Sequence, residues 1–81
     1  MPGVTYQRLE EVLESLGFRF RGIQEQNKIF LHEAAGALVV YPEFPSRDEA
    51  LPRHLVAIRG TLDAYGIADP LDFAARLQKA G

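Results

Sequence analysis

Two short runs of strand-forming residues constrain this chain more than any other feature. The first spans residues 28–32, the second residues 37–41, and the four residues 33–36, ending in Gly36, join them. Apolar and aromatic runs separated by such a break are typical of a β-hairpin. Neither run alternates cleanly between apolar and polar residues, so both faces of the hairpin carry apolar side chains. A small sheet of this kind needs cover on both faces, from a second layer of helices or from another subunit.

The segments before and after the hairpin show the apolar spacing of helices. Apolar residues at helical spacing predict helices over residues 6–16, 52–65 and 70–79, with Thr5 capping the first. Residues 18–21 alternate Phe and Arg, which predicts a first strand with phenylalanine inward, and residues 22–27 form a polar turn. The order α-β-β-β-α-α predicts an α+β fold. We expect a three-stranded antiparallel sheet with both long helices on one face.

Length and composition limit the class of protein. The chain has 81 residues, which suits a single domain over 1–81 with 67–81 as an additional C-terminal helix. Its formal charge of −2 opposes a dedicated nucleic-acid binder. Cysteine is absent, which excludes disulfides, thiolate nucleophiles and cysteine-based zinc sites. We expect a cytoplasmic protein without membrane contact, because the sequence shows no signal peptide and no long apolar segment.

A series of short motifs runs from the first predicted helix to the end of the second. In order they are Leu9, Leu13 and Leu16, then Gly17-Phe18, Phe30 with His32, Val39 and Pro42, Ile58-Arg59, and Gly66-Ile67. Together they resemble the HicA-type toxins of the YcfA-like family, over roughly residues 6–67. The resemblance implies a fold like that of double-stranded-RNA-binding domains. It also implies RNA as the target and an antitoxin-like protein as the partner.

The chain differs from that family at the position of the histidine used in ribonuclease action. HicA toxins are similar to one another in a histidine on the second strand, used in ribonuclease action or RNA contact. Aligned on Phe30, that position holds Asn27, whose amide cannot exchange a proton near neutral pH. Glu25 stands where the family has glycine and adds negative charge beside an incoming phosphate. We therefore expect no ribonuclease activity, and we assign no catalytic residue, cofactor or metal ligand.

Five polar residues are candidate contacts for RNA or for a protein partner, namely Arg19, Arg21, Asn27, Lys28 and His32. The three cations would form a phosphate-contacting patch on adjacent strands, or an ordinary outward face paired with nearby carboxylates. His32 would replace the missing family histidine in an active toxin. As the alternative, it is a hydrogen-bonded structural residue.

Three apolar residues predict self-association, namely Phe30, Val39 and Tyr41. They alternate with a second apolar set, Ile29, Leu31, Leu38 and Val40, which we expect the helices to cover. Burying each side chain of the first set against another subunit would stabilise by roughly 1.5–3 kcal/mol. We therefore expect a homo-oligomer. Alternatively, the third helix folds back over this face and the chain is monomeric.

Two hypotheses of function follow. The first is a non-catalytic HicA-like protein that acts by binding a protein partner or a second copy of itself. The alternative is an RNA-binding or RNA-cleaving toxin of a toxin–antitoxin pair. A continuous basic patch over Arg19, Arg21 and Lys28 would favour RNA, whereas an apolar outer sheet face would favour assembly.

Overall fold

A computed structural model describes residues 3–45 and 47–78. The elements are α1 (Tyr6–Ser15), β1 (Arg19–Gln24), β2 (Asn27–His32), β3 (Ala37–Pro42), α2 (Pro52–Ala64) and α3 (Pro70–Gln78). The strands form one antiparallel sheet in the order β1-β2-β3. The predicted α+β fold and element order are therefore confirmed, while residue 79 of the predicted last helix lies outside the described residues. Across the described ranges, every helix is too short or too polar to cross a membrane.

Local signals in the sequence set the helix ends. The Thr5 hydroxyl accepts a hydrogen bond from the Arg8 N–H at 3.1 Å, which satisfies one of the free donors at the start of α1. Gly17 follows the end of α1 with φ of 101°, a left-handed conformation that glycine adopts without a Cβ clash. Pro52 occupies the first turn of α2, where its missing N–H leaves no bond unmade.

The helices cover the face of the sheet that carries Phe30, Val39 and Tyr41. These side chains are only 1%, 3% and 2% exposed and join the core formed with the apolar sides of α1 and α2. Assigning them to an outer oligomer face was therefore wrong, because they are the inner face of the sheet. The opposite set was expected to be covered, yet Leu38 and Val40 are 55% and 52% exposed.

Strand β1 is longer than predicted and contains a bulge. Phe20 lies opposite Phe30 and Gly22 lies opposite Ile29, so Arg21 is an extra residue without a partner in β2. The strand continues through Gln24, so most of the residues predicted to form a polar turn belong to the sheet. Phe20 stays on the inner side, but at the open border of the sheet, where it is 48% exposed.

The turn between β1 and β2 consists of Glu25 and Gln26 alone. Both residues have positive φ, 51° and 67°, and Gln24 lies opposite Asn27 across the turn. Two consecutive left-handed residues define the mirror-image turn that suits the twist of a hairpin and that Asn-Gly normally supplies. Because neither residue here is Asn or Gly, the turn carries strain that its neighbours must offset.

Replacing Gln26 by glycine should raise the free energy of unfolding by up to about 1 kcal/mol, because glycine adopts this conformation without a Cβ clash. The matched control is Gln24→Gly in the adjoining strand, which should cost roughly 0.5–1 kcal/mol. Urea unfolding of the two variants and the parent protein measures both effects. Equal destabilisation by the two glycines would contradict the strained turn.

Candidate functional site

The side of the sheet away from the helices carries a contiguous set of apolar residues. We call this set the outer apolar face, and it consists of Ile29, Leu31, Leu38 and Val40. Ile29 lies directly opposite Val40, and Leu31 directly opposite Leu38. Side chains opposite one another on antiparallel strands touch, so the four form one patch. Leu38 and Val40 are exposed and Ile29 and Leu31 half-buried, and contiguous apolar patches of this kind are a feature of interaction surfaces.

The outer apolar face ends at a free strand edge. Within the described residues, β3 pairs with β2 on one side and with no strand on the other. The Glu43 N–H donates to the Gln26 carbonyl at 2.8 Å, so these two residues form a hydrogen-bonded pair. In an antiparallel sheet, hydrogen-bonded and non-hydrogen-bonded pairs alternate, which makes the pairs of Leu38 with Leu31 and of Val40 with Ile29 non-hydrogen-bonded. By that alternation, the N–H and C=O groups of Leu38 and Val40 point away from β2 and out of the sheet.

Helix α2 flanks this edge. Leu38, Val39 and Val40 form a shallow groove with three residues of the helix, Ala57, Ile58 and Thr61. Two of these helix residues, Ala57 and Thr61, are small, and the third, Ile58, is buried in the core. The outward main-chain groups of β3, its apolar side chains and this helix side form a single continuous surface.

The three candidate cations do not form one patch. Lys28 lies opposite Tyr41, on the inner side of the sheet, and its Nζ contacts the Glu10 carboxylate of α1 at 2.6 Å. Arg19 lies opposite Leu31 and borders the outer apolar face on the other side of the sheet. The third cation, Arg21, is the bulged residue between them. The continuous basic surface that would favour RNA is therefore not present on the sheet.

His32 and Asn27 lie at opposite ends and on opposite faces of β2. The His32 Nδ1 accepts a hydrogen bond from the Ala35 N–H at 3.1 Å, and its ring packs edge-on against Phe18 at 5.3 Å. The Asn27 side-chain amide donates to the Glu25 carbonyl at 3.3 Å. Both side chains therefore support the turns beside them, and the geometry does not combine them into one site.

Two of the described residues with shifted pKa values, Tyr41 and His54, lie in and beside the aromatic centre of the core. The Tyr6 hydroxyl lies 3.0 Å from the Nδ1 of His54 and accepts a hydrogen bond from the Leu51 N–H at 3.1 Å. Burial, and secondly the charge of Arg53, lowers the pKa of His54, which favours the uncharged ring. Burial, aided by the charges of Glu10 and Tyr6, raises the pKa of Tyr41 well above its usual value.

This cluster has the features of a structural network. Tyr6 stacks on Phe44 at 4.8 Å and on Tyr41 at 5.6 Å, which leaves no space for a substrate between the rings. The Tyr41 hydroxyl is buried and has no hydrogen-bond partner among the described residues. Over the same residues, no three side chains of the metal-binding types come together. The cluster therefore supports the fold.

The residues that sequence reasoning misplaced are those of the outer apolar face. The apolar character of both hairpin faces was visible, but not which face the helices would take. The predicted inward direction of Phe20 indicates the helix side of Phe30 only once the two are known to pair, and that pairing depends on the bulge at Arg21.

Comparisons with known proteins add no identification. No protein-family model, no curated protein and no solved structure matches the chain. The fold defines an α+β protein with one open antiparallel sheet. The function must therefore be argued from its surfaces.

Two tyrosine substitutions test the aromatic network. Tyr6→Phe removes a hydroxyl that bonds both Leu51 and His54, and it should lower the free energy of unfolding by roughly 1–3 kcal/mol. Tyr41→Phe removes a buried hydroxyl without a partner and should be neutral or stabilising. Urea unfolding near pH 7 compares them. A Tyr41→Phe variant as unstable as Tyr6→Phe would show that the Tyr41 hydroxyl is bonded after all.

Proposed function

We propose that this protein is a non-catalytic binding protein that associates with polypeptide through its outer apolar face. A HicA-like protein with asparagine in place of the family's histidine would keep this role when ribonuclease action is lost. The single observation that carries the proposal is the outer apolar face. Its two residues on β3, Leu38 and Val40, are both more than half exposed.

Burial provides the driving force for such association. Each apolar side chain removed from water stabilises a complex by roughly 25 cal/mol for every Å² of area covered. The outer apolar face spans two paired strands, so a partner that covers Leu38 also reaches Leu31 beside it. Apolar residues in this arrangement suit another polypeptide better than they suit a charged ligand.

Electrostatics gives less support to RNA as the partner. The protein has a formal charge of −2, and Lys28 is neutralised by Glu10 in a half-buried ion pair. Arg8 and Arg76 also contact carboxylates, those of Glu11 and Asp72. Affinity for nucleic acid depends on cations that neutralise several phosphates together. The sheet offers only Arg19 and Arg21 for that purpose.

Two lysine substitutions test the proposal. Leu38→Lys places a charge on the outer apolar face, and Leu71→Lys makes the same change at a leucine of α3 that is 84% exposed. The tagged proteins are purified, and the other polypeptides and the nucleic acids that accompany each are identified. We expect polypeptide association to be lost in Leu38→Lys and retained in Leu71→Lys.

An RNA assay supplies the contradicting result. The pure protein is incubated with a mixed RNA pool, and both cleavage and binding are measured. Cleavage that disappears in His32→Ala would overturn the proposal and favour the toxin. Binding that depends on Arg19 and Arg21, together with unchanged behaviour of Leu38→Lys, would do the same.

A further inference from the structure

We infer that the chain forms a two-fold dimer in which the β3 strands of two copies pair antiparallel at their free edges, joining the sheets into one of six strands. This inference goes beyond the proposed function, because edge pairing joins the outer apolar faces of the two copies side by side and leaves both open to a further polypeptide. The outward N–H and C=O groups of Leu38 and Val40 are the groups that a neighbouring strand bonds.

A second copy fits this edge without electrostatic cost. Strand β3 carries no charged residue from Ala37 to Pro42, so pairing it with itself brings no like charges together. The register centred on Val39 places Leu38 of each copy opposite the partner's Val40. It uses the outward donors and acceptors of both residues. Shifting the register by one pair would place Leu38 opposite the partner's Pro42, which has no N–H to donate.

The other edge of the sheet is protected, which closes the assembly at two copies. Strand β1 contains a bulge at Arg21, and its exposed side chains include Arg19 and Arg21. Bulges and charges are the features by which natural edge strands avoid pairing. Because β3 lacks both and β1 has both, association stops at a dimer and does not continue into a fibre.

Helix α2 is shaped for a close neighbour beside the β3 edge. Ala57, Gly60, Thr61 and Ala64 follow the spacing of one helix side, and Ala57 and Thr61 line the groove with β3. A Cβ added at Gly60 would meet nothing within 4 Å. Glycine is unfavourable inside a helix, and contacts within the described chain do not require it at Gly60. A second helix that packs closely against α2 would explain why glycine occupies this position.

Charge complementarity favours a second copy in this position. A two-fold axis through the paired edges brings the two α2 helices side by side and antiparallel. Arg53, near the start of α2 and on the side of its small residues, then lies beside the end of the partner's helix. That end carries the exposed Asp63 and the negative end of the helix dipole. The same pairing occurs twice, once on each side of the axis.

Molar mass measured by light scattering during size-exclusion chromatography tests the dimer. The measured molar mass of the wild-type protein should be near twice 9.0 kDa from micromolar to near-millimolar concentration. Val40→Pro removes an outward N–H that only the dimer uses, and it should shift the mass to that of the monomer. The control is Ile23→Pro on β1, whose N–H also points out of the sheet by the same alternation. It should remain dimeric.

A second pair of variants covers the case in which a proline disturbs folding. Gly60→Arg and Gly60→Ala both replace glycine by a better helix former, so both monomers should fold. We expect Gly60→Arg to be monomeric and Gly60→Ala to be dimeric. Amide exchange of the wild-type protein provides a measurement without any variant. Exchange at Leu38 and Val40 should slow about tenfold or more as concentration rises, while exchange at Ile23 stays constant.

Each outcome decides between the dimer and the broader proposal. A wild-type mass near 9.0 kDa at every concentration overturns the dimer, as does a dimer that survives both Val40→Pro and Gly60→Arg. A monomer that still binds another polypeptide, and loses it in Leu38→Lys, leaves the proposed function standing without the dimer. A monomer that binds no polypeptide contradicts both the dimer and the proposed function.

Discussion

The stacking of Tyr6 on Tyr41 and of Tyr41 on Phe30 decides which face of the sheet the helices cover. The ring centres lie 5.6 Å and 5.7 Å apart, and all three side chains are almost fully buried. Because successive residues of a strand point to opposite faces, burying Tyr41 also buries Val39 and directs Leu38 and Val40 to the solvent. The surface that we propose for binding is therefore a consequence of how the core packs.

Much of the fold could be predicted because its signals are local. Thr5, Gly17 and Pro52 set helix ends through cap geometry and backbone conformation, which a single sequence displays. The faces of the sheet could not be assigned, because the bulge at Arg21 changes the pairing register of β1 with β2 by one residue. Without the bulge, Arg21 would lie opposite Phe30, and the side chain of Phe20 would point to the face away from the helices.

The candidate site was less predictable than the fold for a related reason. Lys28 and Arg19 both belong to the sheet, yet they lie on opposite faces, and Lys28 pairs with Glu10 of α1. Such long-range pairing depends on how helix and sheet pack, which residue spacing does not reveal. The tight turn at Glu25 and Gln26 also lacked the Asn-Gly signal that would have fixed the register from the sequence.

The measurement that tests this account most directly is the reactivity of single cysteines at neighbouring positions of β3. The chain has no cysteine, so Leu38→Cys and Val39→Cys each provide one thiol that a maleimide reagent can report. The account predicts rapid alkylation at position 38 and strong protection at position 39 in the folded protein at low concentration. Protection at 38 with rapid reaction at 39 would show that the helices cover the other face, and it would remove the surface on which the proposed function rests.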